Sequence, residues 1–205
     1  MRKITPLLLL TQQFASITRN VAYRDGHLEN DAEHSYQLAM LSWAANRQYN
    51  LGLSDEKLLK LALIHDFVEI FAGDTDSFDK KRTLDKKERE KKSLLKLKRE
   101  YPQYEDIWKE ISEYEKKDSP EAVLVNIIDK FIPDINAYFS KYDYHHVRKI
   151  DISQWEKWLF SKIDYDTLNP KFKKLVDESL KDMKTRYKEV FYDPKTDKPK
   201  EEETI

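Results

Sequence analysis

Apolar residues recur at helical spacing along the chain, and in one stretch this spacing runs into ionisable residues. Leu58, Leu61 and Ala62 share a helical face with His65 and Glu69, so the face that should meet the core ends in an imidazole and a carboxylate. Burying such groups is costly unless they are paired, hydrogen-bonded or bound to a metal. The pattern predicts a shared partner for these side chains, and a metal cation is the simplest candidate.

The same periodicity predicts helices along most of the chain. Asp31, Ser54 and Ser119 are expected to cap helix N-termini, and Asn169-Pro170 opens the last long helix. Pro133 is expected to interrupt or kink its helix. The predicted helices cover 6–18, 32–49, 55–70, 104–116, 120–132, 135–142, 153–163 and 170–191, with a polar connection over 19–30.

Composition supports an all-α fold. Only three Gly and seven Pro occur among 205 residues, which favours helices and leaves few turn residues for hairpins. A chain of this length most often forms one domain, which we expect over residues 1–192. Residues 193–205 are charged, contain Pro and have almost no apolar groups, so we expect a disordered tail there.

Charge and cysteine content exclude several classes of function. Lys and Arg nearly cancel Asp and Glu, leaving a net charge of -1, so no global field attracts nucleic acid. The chain has no Cys, so any metal must bind to His, Asp or Glu. Thr11-Gln12-Gln13 ends the N-terminal leucine run too early for a signal peptide, and no membrane-spanning stretch follows. A cytoplasmic protein without a membrane partner is therefore expected.

Some polar segments have two interpretations. The strongly basic stretch 80–99 is either a solvated helix face with i,i+4 charge pairs or a site entrance that attracts an anionic substrate. Arg24 and His27 either face water or contact substrate. His145 and His146 lie far from the other ionisable groups of interest, and we interpret them as surface residues.

Two more ionisable residues occupy core positions. His34 lies in the predicted helix 32–49, and Asp129 shares a stripe with Val125 and Ile128. Together with His65 and Asp66 they would offer nitrogen and oxygen ligands from three helices, a set that suits Mn²⁺, Co²⁺, Fe²⁺, Ni²⁺ or Zn²⁺. The alternative is that these are ordinary hydrogen-bonded core residues, and periodicity alone does not decide between the two.

The order of these residues resembles a known family. His34, the adjacent pair His65-Asp66 and then Asp129 resemble the H…HD…D signature of the HD-domain metal-dependent phosphohydrolases, and Glu69 completes an HDxxE pattern. The further matches resemble the bacterial 5′-deoxynucleotidase branch over about residues 10–140, and they comprise Arg19, Glu29–Ser35, His65–Glu69, Gly73-Asp74 and Asp129-Lys130. The resemblance implies an all-α HD-domain helical bundle.

The resemblance also implies a metal site. His34, His65, Asp66 and Asp129 would ligate one divalent ion, whose identity (Mn, Co, Zn, Fe, Ni or Mg) stays open. The resemblance further suggests a homodimer, for which the apolar residues Trp155, Trp158, Leu159 and Phe160 would supply the partner surface.

The resemblance assigns further roles residue by residue. Glu69 would be the general base that orients or deprotonates water, and Arg19 would bind the phosphate. Asp74 would handle a proton or contact the sugar. The family carries a Trp directly after the arginine, where it crowds the sugar 2′ position, whereas this chain has Asn20. We therefore hypothesise relaxed selectivity between ribose and deoxyribose.

These roles lead to one main functional hypothesis. The protein is expected to be a metal-dependent phosphohydrolase that removes the 5′-phosphate from nucleoside or deoxynucleoside monophosphates. The alternatives are hydrolysis of another phosphorylated nucleotide (a triphosphate, a cyclic dinucleotide or an alarmone), a metal-binding regulatory module without turnover, and a purely structural bundle. Glu69 and Arg19 argue against the regulatory module, because ligand binding alone needs no carboxylate that activates water.

Overall fold

The computed structural model describes residues 1–196, and helices dominate them, so the all-α prediction is confirmed. Short 3₁₀ helices lie at Pro102–Tyr104, Tyr165–Thr167 and Lys188–Val190. The predicted tail 193–205 falls outside the described residues from position 197 onward. The helices and strands in chain order are α1 Thr5–Ala15, β1 Thr18–Ala22, β2 Leu28–Asn30, α2 Asp31–Gln48, α3 Asp55–Ile64, α4 Glu69–Ala72, α5 Lys86–Glu100, α6 Glu105–Lys116, α7 Pro120–Asp129, α8 Ile132–Ser140, α9 Tyr144–Arg148, α10 Ile152–Lys162 and α11 Pro170–Thr185.

The chain divides into two compact units. The first comprises Met1–Asn20 and His27–Ile132, and the second comprises Val21–Gly26 and the chain from Pro133 onward. The single domain expected over 1–192 stays a prediction. None of the helices in the described part of the chain is both long and apolar enough to span a bilayer.

The core of the first unit holds the residues that follow the His-Asp pair. In this unit α2 packs against α3 and α7, and α3 also contacts α6. Phe67 and Val68 are buried, and the Phe67 ring lies 5.1 Å from the Phe14 ring and 6.4 Å from the Trp108 ring, centroid to centroid. Burying a side chain of this size stabilises the fold by about 1.5–3 kcal/mol. The core thus anchors the chain immediately after Asp66.

The predicted polar connection 19–30 is wrong in part, because it contains the two strands β1 and β2, which pair with each other. The connection between them is short enough that only antiparallel pairing is feasible. It turns at Gly26, whose φ of 92° belongs to the left-handed region that glycine adopts without strain. The strands give fixed backbone positions to Arg19, Asn20 and Glu29.

The start of α2 also differs from the prediction. Asn30, and not Asp31, is the N-cap, and its side chain accepts hydrogen bonds from the backbone N–H groups of Ala32 and Glu33. The Glu33 carboxylate accepts the N–H of Asn30 in return, which completes a capping box. The carboxylate of Asp31 instead contacts Arg19. The predicted caps Ser54 and Ser119 are confirmed.

The predicted helix 55–70 is broken at the His-Asp pair. The regular helix α3 ends at Ile64, and the next residues form i→i+3 hydrogen bonds, from Phe67 N to the Ile64 carbonyl (3.0 Å) and from Glu69 N to the Asp66 carbonyl (2.8 Å). Such bonds tighten the chain into a 3₁₀-type turn before α4 begins at Glu69. Periodicity does not reveal this change, because both geometries place His65 and Glu69 toward the interior.

The interpretation of His145 as a surface residue is wrong. His145 is buried in the second unit, where its Nε2 contacts Asp134 Oδ1 and its ring lies 5.0 Å from the ring of Phe191. Trp155 donates its indole N–H to the other oxygen of Asp134, at 2.6 Å. A buried imidazole is tolerated here because a buried carboxylate faces it. His146 is partly exposed.

Four other sequence predictions can be compared with the structure. Trp155 and Leu159 are buried within the second unit, so they do not offer the partner surface that was expected of them. Pro133 lies in the first turn of α8, where no backbone N–H is needed. The predicted interruption is confirmed just before it, because α7 ends at Asp129 and α8 begins at Ile132. The last long helix stops at Thr185. The part of 80–99 that forms a helix is α5, which exposes most of its lysines to solvent.

Candidate metal centre

The four predicted metal ligands lie together within the first unit. His34 projects from the first turns of α2, His65 and Asp66 from the tight turn after α3, and Asp129 from the last residue of α7. One ligand atom from each of His34, His65 and Asp66 lies within 4.8 Å of the others. Asp129 Oδ1 is 2.8 Å from His34 Nε2 and 3.8 Å from His65 Nε2. This spacing allows the donors to share one ion.

His65 is oriented as a metal ligand. Its Nδ1 lies 2.8 Å from the Ala62 carbonyl, an acceptor only, so this nitrogen carries a proton and Nε2 is the atom that can bind a cation. Nε2 is buried, forms no hydrogen bond in the described part of the chain, and lies 3.0 Å from Asp66 Oδ2. The Tyr114 ring packs edge-on against the imidazole, 5.5 Å between centroids. A buried, unpaired nitrogen between carboxylates fits a cation.

The two carboxylate ligands are held ionised. Burial acts to raise the pKa of Asp129, but Lys130, His34 and His65 outweigh it and hold that pKa well below the ordinary value. Burial likewise opposes ionisation of Asp66, and His65 and Arg19 keep its pKa low. Since a carboxylate must lose its proton to bind a metal, both groups are ready to do so.

His34 faces the site with Nε2 and faces Glu29 with Nδ1. The distance from Nδ1 to Glu29 Oε2 is 3.4 Å, and both side chains are fully buried. Burial and Arg19 act to lower the pKa of His34, yet the hydrogen bond to Asp129 and the contact with Glu29 raise it to about 9. Metal binding must therefore displace a proton from this imidazole.

Arg19 lies beside the predicted ligands and is only 13% exposed. Its Nη1 is 3.0 Å from Asp66 Oδ2, 3.4 Å from Asp31 Oδ1 and 3.9 Å from Asp74 Oδ1. Its Nε is 3.2 Å from Glu29 Oε2. The carboxylates fix the guanidinium close to Asp66, where it can reach a phosphoryl oxygen bound at the same centre.

Glu69 and Asp74 complete the predicted set. Glu69 is 1% exposed, and burial and Asp66 raise its pKa well above the ordinary value although Lys86 opposes them from 3.6 Å. Gly73 ends α4 with a φ of 71°, which turns the chain so that Asp74 follows directly. Burial also raises the pKa of Asp74, against the influence of Arg19. Glu69 and Asp74 can therefore exchange protons nearer to neutral pH than ordinary carboxyl groups.

The donor set fits a divalent cation on grounds of charge. Acidic side chains outnumber basic ones in this centre, and a buried excess of negative charge is costly unless protons or a cation offset it. Burial raises the pKa of Asp31 to about 7 and also raises those of Glu69 and Asp74, so protons offset part of the charge that a bound cation would offset. The carboxyl groups are Glu29, Asp31, Asp66, Glu69, Asp74 and Asp129. The cationic side chains in contact with them are Arg19, Lys86, Lys130 and His34, whose pKa of about 9 makes it a cation until a metal binds.

The other candidate residues lie at the edge or away from this centre. Asn20 donates to Asp76 Oδ2 at 3.4 Å. His27 is exposed and contacts Glu33 Oε1 at 3.2 Å, and Arg24 is exposed.

Sequence reasoning gave three residues of the centre no role in the site. Glu29 and Asp31 belong to the matched segment Glu29–Ser35, so their position in that motif is the signal that marks them. Lys86 is one of many lysines in the stretch 80–99, and no sequence signal distinguishes it.

A family comparison agrees with this arrangement. The profile of the HD domain matches residues 12–189, which is most of the chain and includes all the predicted ligands. The chain belongs to the HD-domain family. A crystal structure of a protein described as a predicted metal-dependent phosphohydrolase, from Magnetospirillum magnetotacticum MS-1, matches this HD-domain protein with a TM-score of 0.71 at 22% identity, covering 94% of this chain and 95% of that chain. At this identity the likeness shows the fold alone.

Curated relatives of this HD-domain protein carry the name of an activity. The 5′-deoxynucleotidase HDDC2 of Dictyostelium discoideum is 28% identical over 120 residues, covering 54% of this chain and 62% of that protein. The 5′-deoxynucleotidase hdd1 of Schizosaccharomyces pombe is 27% identical over 133 residues, covering 62% of this chain and 65% of that protein. The matched stretches thus span less than two thirds of either relative.

Proposed function

We propose that this HD-domain protein is a metal-dependent phosphohydrolase that removes the 5′-phosphate from nucleoside or deoxynucleoside monophosphates. The observation that carries the proposal is the position of Arg19 Nη1, 3.0 Å from Asp66 and beside a buried cluster of nitrogen and oxygen donors. A phosphate-binding group and a candidate metal site thus share one carboxylate. The names of the curated relatives support the same reaction class.

In this proposal His34, His65, Asp66 and Asp129 hold one divalent ion. The ion, when bound, withdraws charge from the phosphoryl group and makes bound water more acidic. Arg19 binds phosphoryl oxygens through its N–H groups and stabilises the charge that develops on them. Nitrogen and oxygen ligands suit Mn²⁺, Co²⁺, Zn²⁺, Fe²⁺ or Ni²⁺. Mg²⁺, a hard ion that prefers oxygen ligands, is the remaining candidate.

Glu69 and Asp74 move the protons. Glu69 accepts a proton from the attacking water as the new phosphorus–oxygen bond forms. The bond between phosphorus and the sugar 5′ oxygen breaks, and Asp74, whose pKa is raised by burial, gives its proton to that oxygen. The products are inorganic phosphate and a nucleoside, and water supplies all the atoms that are added.

Asn20 affects the expected selectivity for the sugar of the substrate. The bulky Trp that the resemblance predicts at this position would crowd the 2′ position, whereas Asn20 is smaller and can hydrogen-bond to a hydroxyl. We therefore propose that ribonucleotides and deoxyribonucleotides are both substrates. Comparing kcat/KM for AMP with dAMP, and for other matched pairs, tests this, and a strong preference for the deoxy member of every pair would contradict it.

Assembly and location complete the proposal. We propose that the protein forms a homodimer, and the exposed apolar side chains of Tyr36, Met40 and Trp43 on α2 would suit a partner surface. Light scattering of the purified protein measures its mass directly. Nucleoside monophosphate substrates would suit a cytoplasmic enzyme.

Phosphate release tests the reaction itself. Purified protein with Mn²⁺ or Co²⁺ should release phosphate from nucleoside monophosphates, and both chelation and Asp66→Ala should abolish this release. Asp118→Ala, a change at an exposed carboxylate of the same unit, should leave it intact. Undiminished turnover in the Asp66 variant would contradict the assigned site. A substrate panel that includes triphosphates, cyclic dinucleotides and alarmones separates the reaction from its alternatives.

A further inference from the structure

Glu29 is a buried carboxylate for which the proposed reaction has no use. It lies in β2, one residue before the N-cap Asn30, and is 0% exposed. Its Oε2 is 3.2 Å from Arg19 Nε and 3.4 Å from His34 Nδ1. One carboxylate oxygen thus lies between the proposed phosphate-binding arginine and a proposed metal ligand.

The contact with His34 determines which imidazole nitrogen is available. His34 Nε2 points toward Asp129 and the other predicted ligands, and it can bind a cation only with an unprotonated nitrogen. The proton must then be on Nδ1, the nitrogen that faces Glu29. Nδ1 and Glu29 Oε2 form no hydrogen bond at 3.4 Å, so a small rotation of either side chain is needed before the carboxylate accepts the Nδ1 proton, fixes the ring plane and makes the ligand more basic.

The contact with Arg19 determines the direction of the guanidinium. Glu29 Oε2 forms an ion pair with the Nε edge, without a hydrogen bond, while Nη1 donates a hydrogen bond to Asp66 on another side. A planar guanidinium that is held at two points keeps its remaining N–H groups in one orientation. Loss of the Glu29 charge would allow Arg19 to turn toward Asp31 or Asp74, both of which it already approaches.

We propose that Glu29 is a positioning residue that couples the two functions of the site, by orienting His34 toward the metal ion and Arg19 toward the phosphate. This inference rests on the proposed function for its phosphate half and on the candidate metal centre alone for its metal half. Its position is rigid, because the neighbouring Asn30 is held by the capping box of α2. Substitutions of Glu29 are therefore expected to change the chemistry of the side chain without moving the backbone.

Two variants separate the two roles. Glu29→Ala removes both contacts and should weaken Mn²⁺ binding by about 10- to 100-fold, the usual effect of losing a carboxylate behind a metal-bound histidine. Glu29→Gln keeps a carbonyl oxygen that can accept the His34 Nδ1 proton, so its Mn²⁺ affinity should stay within a few-fold of the wild type. Because the amide lacks the charge that holds Arg19, inorganic phosphate should bind more weakly to the Mn²⁺-loaded Gln variant.

The measurements are calorimetric titrations of the full chain, first with Mn²⁺ and then with inorganic phosphate on the Mn²⁺-loaded protein. Glu105→Ala, at an exposed glutamate, is the control and should change neither affinity. Unfolding midpoints measured without metal show whether each variant is folded. If Glu29→Ala does not fold, the Glu29→Gln variant still tests the inference.

Unchanged Mn²⁺ affinity in Glu29→Ala, or equal weakening in the Ala and Gln variants, would overturn the inference. The metal titrations use no substrate, so they stand apart from the reaction. If the protein shows the predicted pattern of Mn²⁺ affinities but hydrolyses no nucleotide, the proposed function fails and the metal role of Glu29 stands. If the wild type is an active phosphatase and substitution of Glu29 leaves the Mn²⁺ affinity unchanged, the inference alone fails.

Discussion

Replacing Lys86 with Met should change the pH dependence of catalysis. Lys86 Nζ lies 3.6 Å from Glu69 Oε1 and 3.3 Å from Glu90 Oε1. Burial opposes the charge on Lys86, but Glu69, Asp66 and Glu90 outweigh it and raise its pKa, so the side chain stays cationic. Its charge favours the ionised form of Glu69, the form that a general base needs. Removing the charge should therefore raise the pKa of Glu69.

The size of the effect follows from the distance. Two unit charges 3.6 Å apart interact by ~1.2 kcal/mol in water and by ~4.6 kcal/mol at the effective dielectric constant of about 20 that suits protein sites. Lys86 is about one-third exposed and shared with Glu90, which places the interaction toward the lower figure. Since one pKa unit corresponds to about 1.4 kcal/mol, Lys86→Met should raise the pKa of Glu69 by about one unit or more.

The assay is the pH profile of kcat at saturating metal and substrate. Asp66 and Asp74 raise the pKa of Glu69 while Arg19 and Lys86 lower it, so losing Lys86 moves the acidic limb of the profile to higher pH. Lys86→Arg should restore the limb, and Lys91→Met, at an exposed position of α5, should not move it. An unmoved limb in Lys86→Met, or an equal shift in Lys91→Met, would refute the reasoning.

Three further predictions concern stability. Asn30→Ala removes the side-chain acceptor of the capping box and should cost about 1–2 kcal/mol in urea unfolding of the metal-free protein, whereas Asn30→Asp should cost less. Mn²⁺ at about 100 times its dissociation constant should stabilise the wild type by ~2.7 kcal/mol and Asp66→Ala far less, measured by thermal unfolding, and an equal gain in both would place the ion elsewhere. Asp134→Ala removes the acceptor of the buried Trp155 N–H and the partner of His145, and should cost ~2–4 kcal/mol; a loss below 1 kcal/mol would show that the contact matters little.

The positions of the helices could be predicted from sequence, because their signals are local. Apolar spacing and the capping residues Ser54 and Ser119 mark helices within a few residues of their observed starts. The break after Ile64 is not local in this sense. It depends on packing of Phe67 and Val68 into the core, which a periodic pattern does not describe. The strands β1 and β2 were missed for a similar reason, since their pairing involves residues on both sides of a loop.

Site residues could be predicted from the sequence where an ionisable side chain occupies a position at which helical spacing calls for an apolar one. His34, His65 and Asp129 occupy positions where helical spacing calls for apolar side chains, and the sequence alone therefore marks them as candidates. Glu29 interrupts no stripe and Lys86 lies in a basic run, so their roles depend on contacts that only the fold brings about. His145 shows the converse error. Its sequence surroundings are polar, yet the partner that makes its burial tolerable, Asp134, comes from another helix.

Anomalous diffraction from crystals grown with Mn²⁺ tests the central claim most directly. The account predicts one strong manganese peak bounded by His34 Nε2, His65 Nε2 and the carboxylates of Asp66 and Asp129, with Arg19 beside it. A peak at another cluster of side chains, or none in crystals of a protein that releases phosphate with Mn²⁺, would contradict it.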